Sequence, residues 1–398
     1  MKVSGQDSCH LSYCANIHPG ESWDELFPNL KNALPQVKKL VSSDAPFGVG
    51  LRLSARAAQD LSAPKSLVEF VEFLHENNLY VFTINAFPYG QFHGARIKEN
   101  VYLPDWTDQK RLDYTNKLAW LFAKILPDDM RGSVSTVPVG FKSRIAGDEE
   151  AKQAARLIAE HACVLHKIEN EMGKTITLNL EPEPFCYIST TRQCVDFFKQ
   201  HLFGSAGIEQ VRRTGAASKE RTEEIIRLHI GVCLDAAHMA VEFEEPRAAV
   251  AMLRDAGIGI GKVQLSAALQ IDQPDSAALE ELKAFDDGQY LHQVSVKSDL
   301  GVSRYLDLGE AIAAWSGGVG QTWRVHFHVP VFRKQFGAFH GTQDYLVEML
   351  RVIMAEDACA HLEVETYTWD VLPERFRGED VTQDIARELL WVKEQLLR

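Results

Sequence analysis

Residues 231–238 read GVCLDAAH. Val232 and Leu234 have the look of a buried strand, yet the run stops at Asp235 and meets His238 three positions later. A lone carboxylate at a strand end most often caps the next turn or pairs with a cation. The test is whether other runs end the same way. Successive strand residues point to opposite faces, so each run can be sorted by parity. Ile176, Leu178 and Leu180 oppose Thr177, Asn179 and Glu181. Val325, Phe327 and Val329 oppose Arg324, His326 and His328, while Leu362 and Val364 oppose His361, Glu363 and Glu365. Upstream, Ser12, Asn16 and His18 stand against Leu11, Tyr13 and Ile17, and Arg52 and Ser54 against Leu51 and Leu53. Every apolar face has a polar reverse, and the polar side becomes charged toward the C-terminal end of the run.

Nine short apolar runs, at 11–18, 47–54, 79–87, 132–140, 175–181, 230–235, 261–266, 323–331 and 361–368, alternate with longer helical patterns. That alternation is the rhythm of βα units around a parallel sheet. The parity result selects a closed (β/α)8 barrel of the α/β class, with charged residues gathered at the C-terminal rim where such barrels build their sites. Nine runs are one too many, and the surplus falls near a long stretch between 267 and 322. There LHQVSVKS and LDLGEAIAAW suggest an extra hairpin and helix. Two further insertions are expected, one after the third strand (88–107) and one at 205–220. The main insertions therefore follow strands 3 and 7. No low-complexity linker, solenoid-length repeat or like-charge block divides the chain, so residues 1–398 read as one barrel domain. Trp23, Leu26, Phe27, Leu30, Leu34 and Val37 recur at helical spacing, as do Leu67, Phe70, Val71 and Leu74. Pro28 and Pro35 inside the first pattern predict a kinked or split helix.

The 42 Lys+Arg against 55 Asp+Glu leave a net charge of −13, which repels nucleic acid and anionic lipid. Seven scattered cysteines without CxxC spacing argue against a disulfide framework or a zinc knuckle and for a reducing, cytoplasmic setting. No apolar stretch is long enough for membrane insertion, and MKVSGQDSCHLS lacks the apolar core of a signal peptide. GIGIG at 257–261 has neither the spacing nor the context of a dinucleotide loop, and HExxH, Walker A and GxSxG motifs are missing from the sequence. His161 and His166, in a helical stretch, read as core or surface fillers, and Cys186 and Cys233 as small packing residues.

Several carboxylates around one lumen cost several kcal/mol each unless a cation sits among them. A divalent metal meets that need. Glu181, Asp235, Glu365 and a histidine from His326 or His328 form a mixed oxygen and nitrogen set suited to Mn²⁺, Zn²⁺, Co²⁺ or Mg²⁺. His238 would orient a ligand or contact substrate, and Asn85 at the end of the third run joins it. His18, Arg52 and His93 are placed to hold a small-molecule substrate or its anionic handle.

At LNLEPEP, CLDAAH, VHFHVP and EVETYTW the chain resembles the xylose isomerase-like TIM-barrel superfamily of sugar isomerases, epimerases and endonuclease IV-type enzymes. SYCANIHPGESWDEL (12–26), NAFPYGQFHGARIKENVYLPDW (85–106) and STVPVGFK (135–142) resemble the EboE metabolite traffic family over nearly the whole chain. That resemblance implies a role in moving a small-molecule precursor, with other Ebo operon proteins as partners. The superfamily's metal positions match Glu181, Asp235, His328 and Glu365, with Glu183, His326 and Glu363 as near alternatives. The superfamily's next histidine would fall at Gln264, a departure with two readings: Gln264 is a ligand, or KVQLS is displaced and VHFHVP completes the barrel.

Three functions follow in order of expectation. The first is a metal-dependent isomerase or epimerase on a polyhydroxylated substrate, with Glu181 and Glu365 as the acid/base pair. The second is a non-catalytic metabolite carrier. The third, an endonuclease IV-like phosphodiesterase, needs more histidines than the lumen promises and suits an acidic protein poorly.

Overall fold

The computed structural model describes all residues except 4–8, 95–96, 216–218 and 398, and leaves out the side chains of 219–220. The expected insertion at 205–220 and the stretch 85–106 therefore lie partly outside the described residues. Eight parallel strands form the barrel: β1 (His10–Tyr13), β2 (Phe47–Arg52), β3 (Leu79–Asn85), β4 (Gly132–Thr136), β5 (Ile176–Leu180), β6 (Ile230–Asp235), β7 (Ile260–Leu265) and β8 (His361–Val364). They pair in the order β1-β8-β7-β6-β5-β4-β3-β2. The seam between β1 and β2 carries a single parallel bridge, Cys14 to Gly50. A side chain supplies what the ladder lacks there: Ser12 Oγ donates to the Gly48 carbonyl at 2.8 Å and accepts from the Gly50 amide at 2.9 Å.

The run at 323–331 is not a barrel strand. KVQLS holds the seventh position, with β7 between β6 and β8. Thr322–Val325 instead joins a six-stranded antiparallel sheet with Leu269–Asp272, Val294–Ser298, Gly301–Tyr305, Gln335–Phe336 and Phe339–Gly341. An antiparallel strand with one covered face alternates with the same period of two as a barrel strand, so parity could not separate them. Beyond Val325 the chain leaves the sheet, and Val329 N donates to the Ala267 carbonyl just past β7 at 2.8 Å. This carries His326 and His328 to the barrel mouth from an insertion.

The helix Trp23–Val41 runs unbroken through Pro28 and Pro35, contrary to the expected kink or split. Its start is secured by a capping box between Ser22 and Glu25, and Trp23, Leu26, Phe27, Leu30, Leu34 and Val37 are all buried. That burial outweighs the lost hydrogen bonds. In Pro64–Glu76, Phe70 and Leu74 are buried but Val71 is 41% exposed.

Below the mouth, Lys262 Nζ lies 2.6 Å from Glu363 Oε2, both side chains fully enclosed. Gly50 stands opposite, where an added Cβ would come within 1.8 Å of Glu363 Oε1, so only glycine leaves this carboxylate its place. Breaking a buried pair strands a charge, whereas replacing both partners does not. Lys262→Met is expected to cost about 3–5 kcal/mol in urea unfolding. The double variant Lys262→Met/Glu363→Leu should recover most of that loss; equal losses in both would refute the pairing.

Candidate active site

Asp235 does two things at once. Its Oδ1 accepts from the His238 amide at 2.8 Å, capping the helix Ala236–Val241, and from Ser266 Oγ at 2.8 Å. Its Oδ2 is buried without a hydrogen-bond partner and lies 4.0 Å from His328 Nε2. One oxygen caps the helix, and the other is left without a partner among the histidines.

Three imidazoles face this carboxylate region. His238 Nδ1 lies 2.9 Å from the Pro182 carbonyl, His328 Nδ1 2.8 Å from the Glu365 carbonyl, and His326 Nδ1 2.7 Å from Gln293 Oε1. Gln293 Nε2 approaches the Pro184 carbonyl at 3.3 Å, which identifies its other amide atom as oxygen. A carbonyl can only accept, so each Nδ1 carries the hydrogen and each Nε2 is left as a lone pair. Nε2 of His326 and of His328 is buried and unpartnered, and His238 Nε2 is 3.9 Å from Asp235 Oδ1. Burial, reinforced by the neighbouring imidazoles, pushes His238 and His326 well below the usual histidine range, so these rings are neutral. Ligand atoms of His238, His326 and His328 lie within 4.8 Å of one another, as do those of Glu181, Asp235 and His238, and those of Asp235, His328 and Glu365. Imidazoles held by a carbonyl on one nitrogen and bare on the other are what a metal site requires. The mouth is richer in histidine than the sequence suggested.

Three glutamates are pushed toward their neutral form by their surroundings. Glu181 is raised well above the usual range by burial, then by Glu365 and Asp235. Glu365 is raised by burial, then by Asp235 and Glu363, and Lys262 opposes the shift in both. Burial pushes Glu183 up to about 8, against a hydrogen bond of 2.8 Å from Tyr102. Glu365 Oε1 is fixed by two amides, Asn16 Nδ2 at 2.8 Å and Asn85 Nδ2 at 2.9 Å. Glu181 Oε2 has no partner.

Other residues singled out in the sequence fall differently. Asn85, Glu183, His238 and His326 line the pocket, as do Glu181 and Glu365. Gln264 faces the lumen between its register partners Asp235 and Glu363, with both amide atoms unpartnered, and it is wholly buried below the pocket. Arg52, His18 and His93 are not among the residues lining this pocket, and each already holds a partner. Arg52 grips Glu21 at 3.1 and 3.2 Å together with the carbonyls of Gly20 and Gly90. His18 Nε2 is bonded to Tyr13 OH at 2.8 Å, and His93 Nε2 to the Asn16 carbonyl at 2.6 Å. Their polar atoms fasten the loops that shape the mouth. The sequence reading missed Asn16, Tyr102, Gln293 and Tyr367, whose ring centre lies 4.8 Å from that of His328. Asn16, in the turn Ala15–Ile17 just past β1, and Tyr367, just past β8, share the parity of residues already picked out on their runs; Tyr102 and Gln293 come from insertions with no period to follow.

A roof of Phe87, Phe92, Val101, Tyr102, Tyr290 and Tyr367 closes over these polar groups. The segment after β3 and the long insertion meet in it, through Tyr290 OH to the Phe92 carbonyl at 3.0 Å and the Ile97 amide to the Gln289 carbonyl at 2.9 Å. Lys98, on the same roof, pairs with Asp307 of the insertion at 2.5 Å. No helix among the described residues is long and apolar enough to cross a membrane. All seven cysteines are free thiols.

No protein-family model matches the chain, and no curated protein matches it in sequence. Solved structures do match. A D-allulose 3-epimerase from Methylomonas sp. superposes with a TM-score of 0.51 at 10% identity, over 100% of both chains. An L-ribulose 3-epimerase gives 0.50 at 14% identity over 98% of this chain and 95% of that one. A D-psicose 3-epimerase from Clostridium cellulolyticum H10 gives 0.50 at 13% identity over 98% and 99%. At such identities the likeness shows the (β/α)8 fold alone.

The raised carboxyls set a pH dependence for the metal-free protein. A carboxyl whose pKa is higher folded than unfolded holds an extra proton in the folded state, so stability falls as pH rises through the interval. For Glu183 that interval runs from about 4.5 to about 8. The lowered histidines act oppositely, losing stability as pH falls below about 6.5. Between pH 6.5 and 8 the carboxyls dominate. The melting temperature of chelator-treated protein should therefore drop across that range, and adding Mn²⁺ or Zn²⁺ should remove the drop while releasing protons measurable by calorimetry. A flat profile with no proton release would contradict the assignment.

Proposed function

We propose that this chain is a divalent-metal-dependent isomerase or epimerase acting on a small polyhydroxylated substrate. One observation carries the reading: Asp235 Oδ2, Glu181 Oε2 and the Nε2 atoms of His326 and His328 are all buried and unpartnered around one region of the barrel mouth. Histidine lone pairs here converge on carboxyls whose raised pKa values keep protons on them, and a divalent cation bound among these groups would displace those protons. Glu181, Asp235, His328 and Glu365 are the residues proposed to hold it, with His238 and His326 within reach. When bound, a divalent cation draws electron density from adjacent substrate oxygens and so acidifies the C–H beside a carbonyl.

The protein's own groups do the rest. Glu181 follows β5 and Glu365 follows β8, well apart around the barrel, so they approach a substrate from different sides. Burial, and after it the crowding of negative charge, favours a proton on Glu181 and Glu365, so one glutamate can act as acid while another acts as base. Asn16 and Asn85 anchor Glu365 Oε1, leaving its Oε2 for proton transfer at substrate carbon. The aromatic roof excludes water that would compete for that proton and covers the carbon face of a sugar. The structures that share the fold support the substrate class: all three are sugar 3-epimerases, one of them with D-tagatose. The EboE resemblance adds a place in metabolite traffic beside other Ebo operon proteins. A pure carrier would bind the same substrate without proton exchange.

The test is deuterium exchange. Protein loaded with Mn²⁺ or Co²⁺ and incubated with a panel of ketoses and keto-sugars in D2O should place deuterium at the carbon beside the carbonyl, read by NMR. Glu181→Gln and Glu365→Gln should each slow it by roughly 10²–10⁴-fold. Exchange that persists in both variants would remove the acid/base assignment. Tight binding without any exchange would replace the enzyme with the carrier.

A further inference from the structure

At the opposite end of the barrel, the helix Asp148–Met172 and the helix Lys219–His229 bring together His166, Glu169 and His229. His166 and Glu169 are three apart on one helix and therefore share a face, and His229 is the last residue before β6. Glu169 Oε2 lies 3.6 Å from His166 Nδ1 and 3.4 Å from His229 Nε2, and one ligand atom from each residue falls within 4.8 Å of the other two. Tetrahedral bonds of ~2.0–2.2 Å place neighbouring ligand atoms ~3.3–3.5 Å apart. The contacts to Glu169 are close to that edge length.

The hydrogen-bond directions reveal what is missing. His229 is fully buried, and its Nδ1 lies 2.9 Å from the Ile176 carbonyl. That nitrogen carries the hydrogen, so Nε2 is a lone pair without a partner. His166 Nδ1 is likewise buried and unpartnered. Glu169 Oε1 accepts from Thr175 Oγ1 at 2.8 Å, which turns Oε2 toward both rings. A lone pair of His229, an unpartnered ring nitrogen of His166 and a carboxylate oxygen then converge, a set that a cation would join.

We infer that His166, Glu169 and His229 form a second divalent-cation site, for a borderline ion such as Zn²⁺, at the N-terminal end of the barrel. The donor set of two imidazoles and one carboxylate suits Zn²⁺, Co²⁺ or Ni²⁺ over Mg²⁺ or Ca²⁺. A cavity of about 580 Å³, lined by His166, Cys163, Lys167 and Thr214 among others, opens beside it and gives ion and water a way in. The site is structural. It ties the end of one helix to the start of β6, and Thr175 ties it to the start of β5. Those two strands carry Asp235 and lead into Glu181 at their far ends. This end of such barrels governs stability, so the ion would act through the scaffold without touching substrate.

The experiment uses the full chain, stripped with a chelator and titrated with Zn²⁺ alone. Bound zinc is measured by elemental analysis after desalting, and melting temperature by calorimetry. Wild type is compared with His166→Ala, Glu169→Gln and Asp235→Asn, the last acting at the mouth. His166→Ala and Glu169→Gln should each lose one zinc equivalent and a zinc-dependent rise in melting temperature of about 2–4 °C. Asp235→Asn should keep the zinc equivalent and the shift that those two variants lose, whatever it loses at the mouth. Because His166 and Glu169 are about a quarter exposed, their variants should still fold, which circular dichroism confirms. Equal zinc content and equal zinc-induced shifts in wild type, His166→Ala and Glu169→Gln would overturn the site and leave a protonated His229–Glu169 ion pair. Loss of metal at Asp235→Asn bears only on the barrel mouth.

Discussion

Charge balance in the lumen governs this structure. Glu181, Glu183, Asp235, Glu363 and Glu365 are all buried within one barrel, and Lys262 is the lysine enclosed among them. The lysine answers Glu363 at 2.6 Å and lowers the pKa of Glu181 and Glu365 without neutralising either. The remaining negative charge must be met by protons, by a cation, or by both in exchange. Glu181, Glu183 and Glu365 are pushed toward their protonated forms while His238 and His326 are pushed toward neutrality, so these groups are poised to trade protons for an ion.

The backbone carries part of that arrangement. Asp235 caps a helix with Oδ1 and keeps Oδ2 for the site, so the start of the helix after β6 sets the direction of the carboxylate. His238, His326 and His328 each give Nδ1 to a carbonyl oxygen, two of them to main-chain groups. Such rings are oriented before any ligand arrives, which lowers the cost of assembling the site on binding.

The long insertion between β7 and β8 makes this barrel particular. It builds an antiparallel sheet, sends His326 and His328 across the mouth, supplies Gln293 to orient one of them, and joins the segment after β3 to form the aromatic roof. Arg52, His18 and His93, which have the residue types of substrate contacts, each bond to a group in the loops around it. The same types of side chain therefore serve chemistry or architecture depending on whether a partner already occupies them.

Much was legible without coordinates. Strand parity and the alternation of short and long apolar patterns determine the eightfold barrel, because those periodicities follow from backbone geometry and local burial. They also place Glu181, Asp235 and Glu365 at the C-terminal rim, since each ends its own run. Which run was the ninth could not be decided that way: Trp323 to Val329 alternates like a barrel strand, but its first part, to Val325, pairs in an antiparallel sheet, and pairing partners are non-local. The unbroken helix through Pro28 and Pro35 is a packing outcome that local propensity does not contain. Nor could spacing distinguish His166, read as a filler, from a residue facing His229 across two helices. Local periodicity is written in consecutive residues, whereas the convergence of lone pairs at both ends of the barrel depends on distances between segments that only the folded chain brings together.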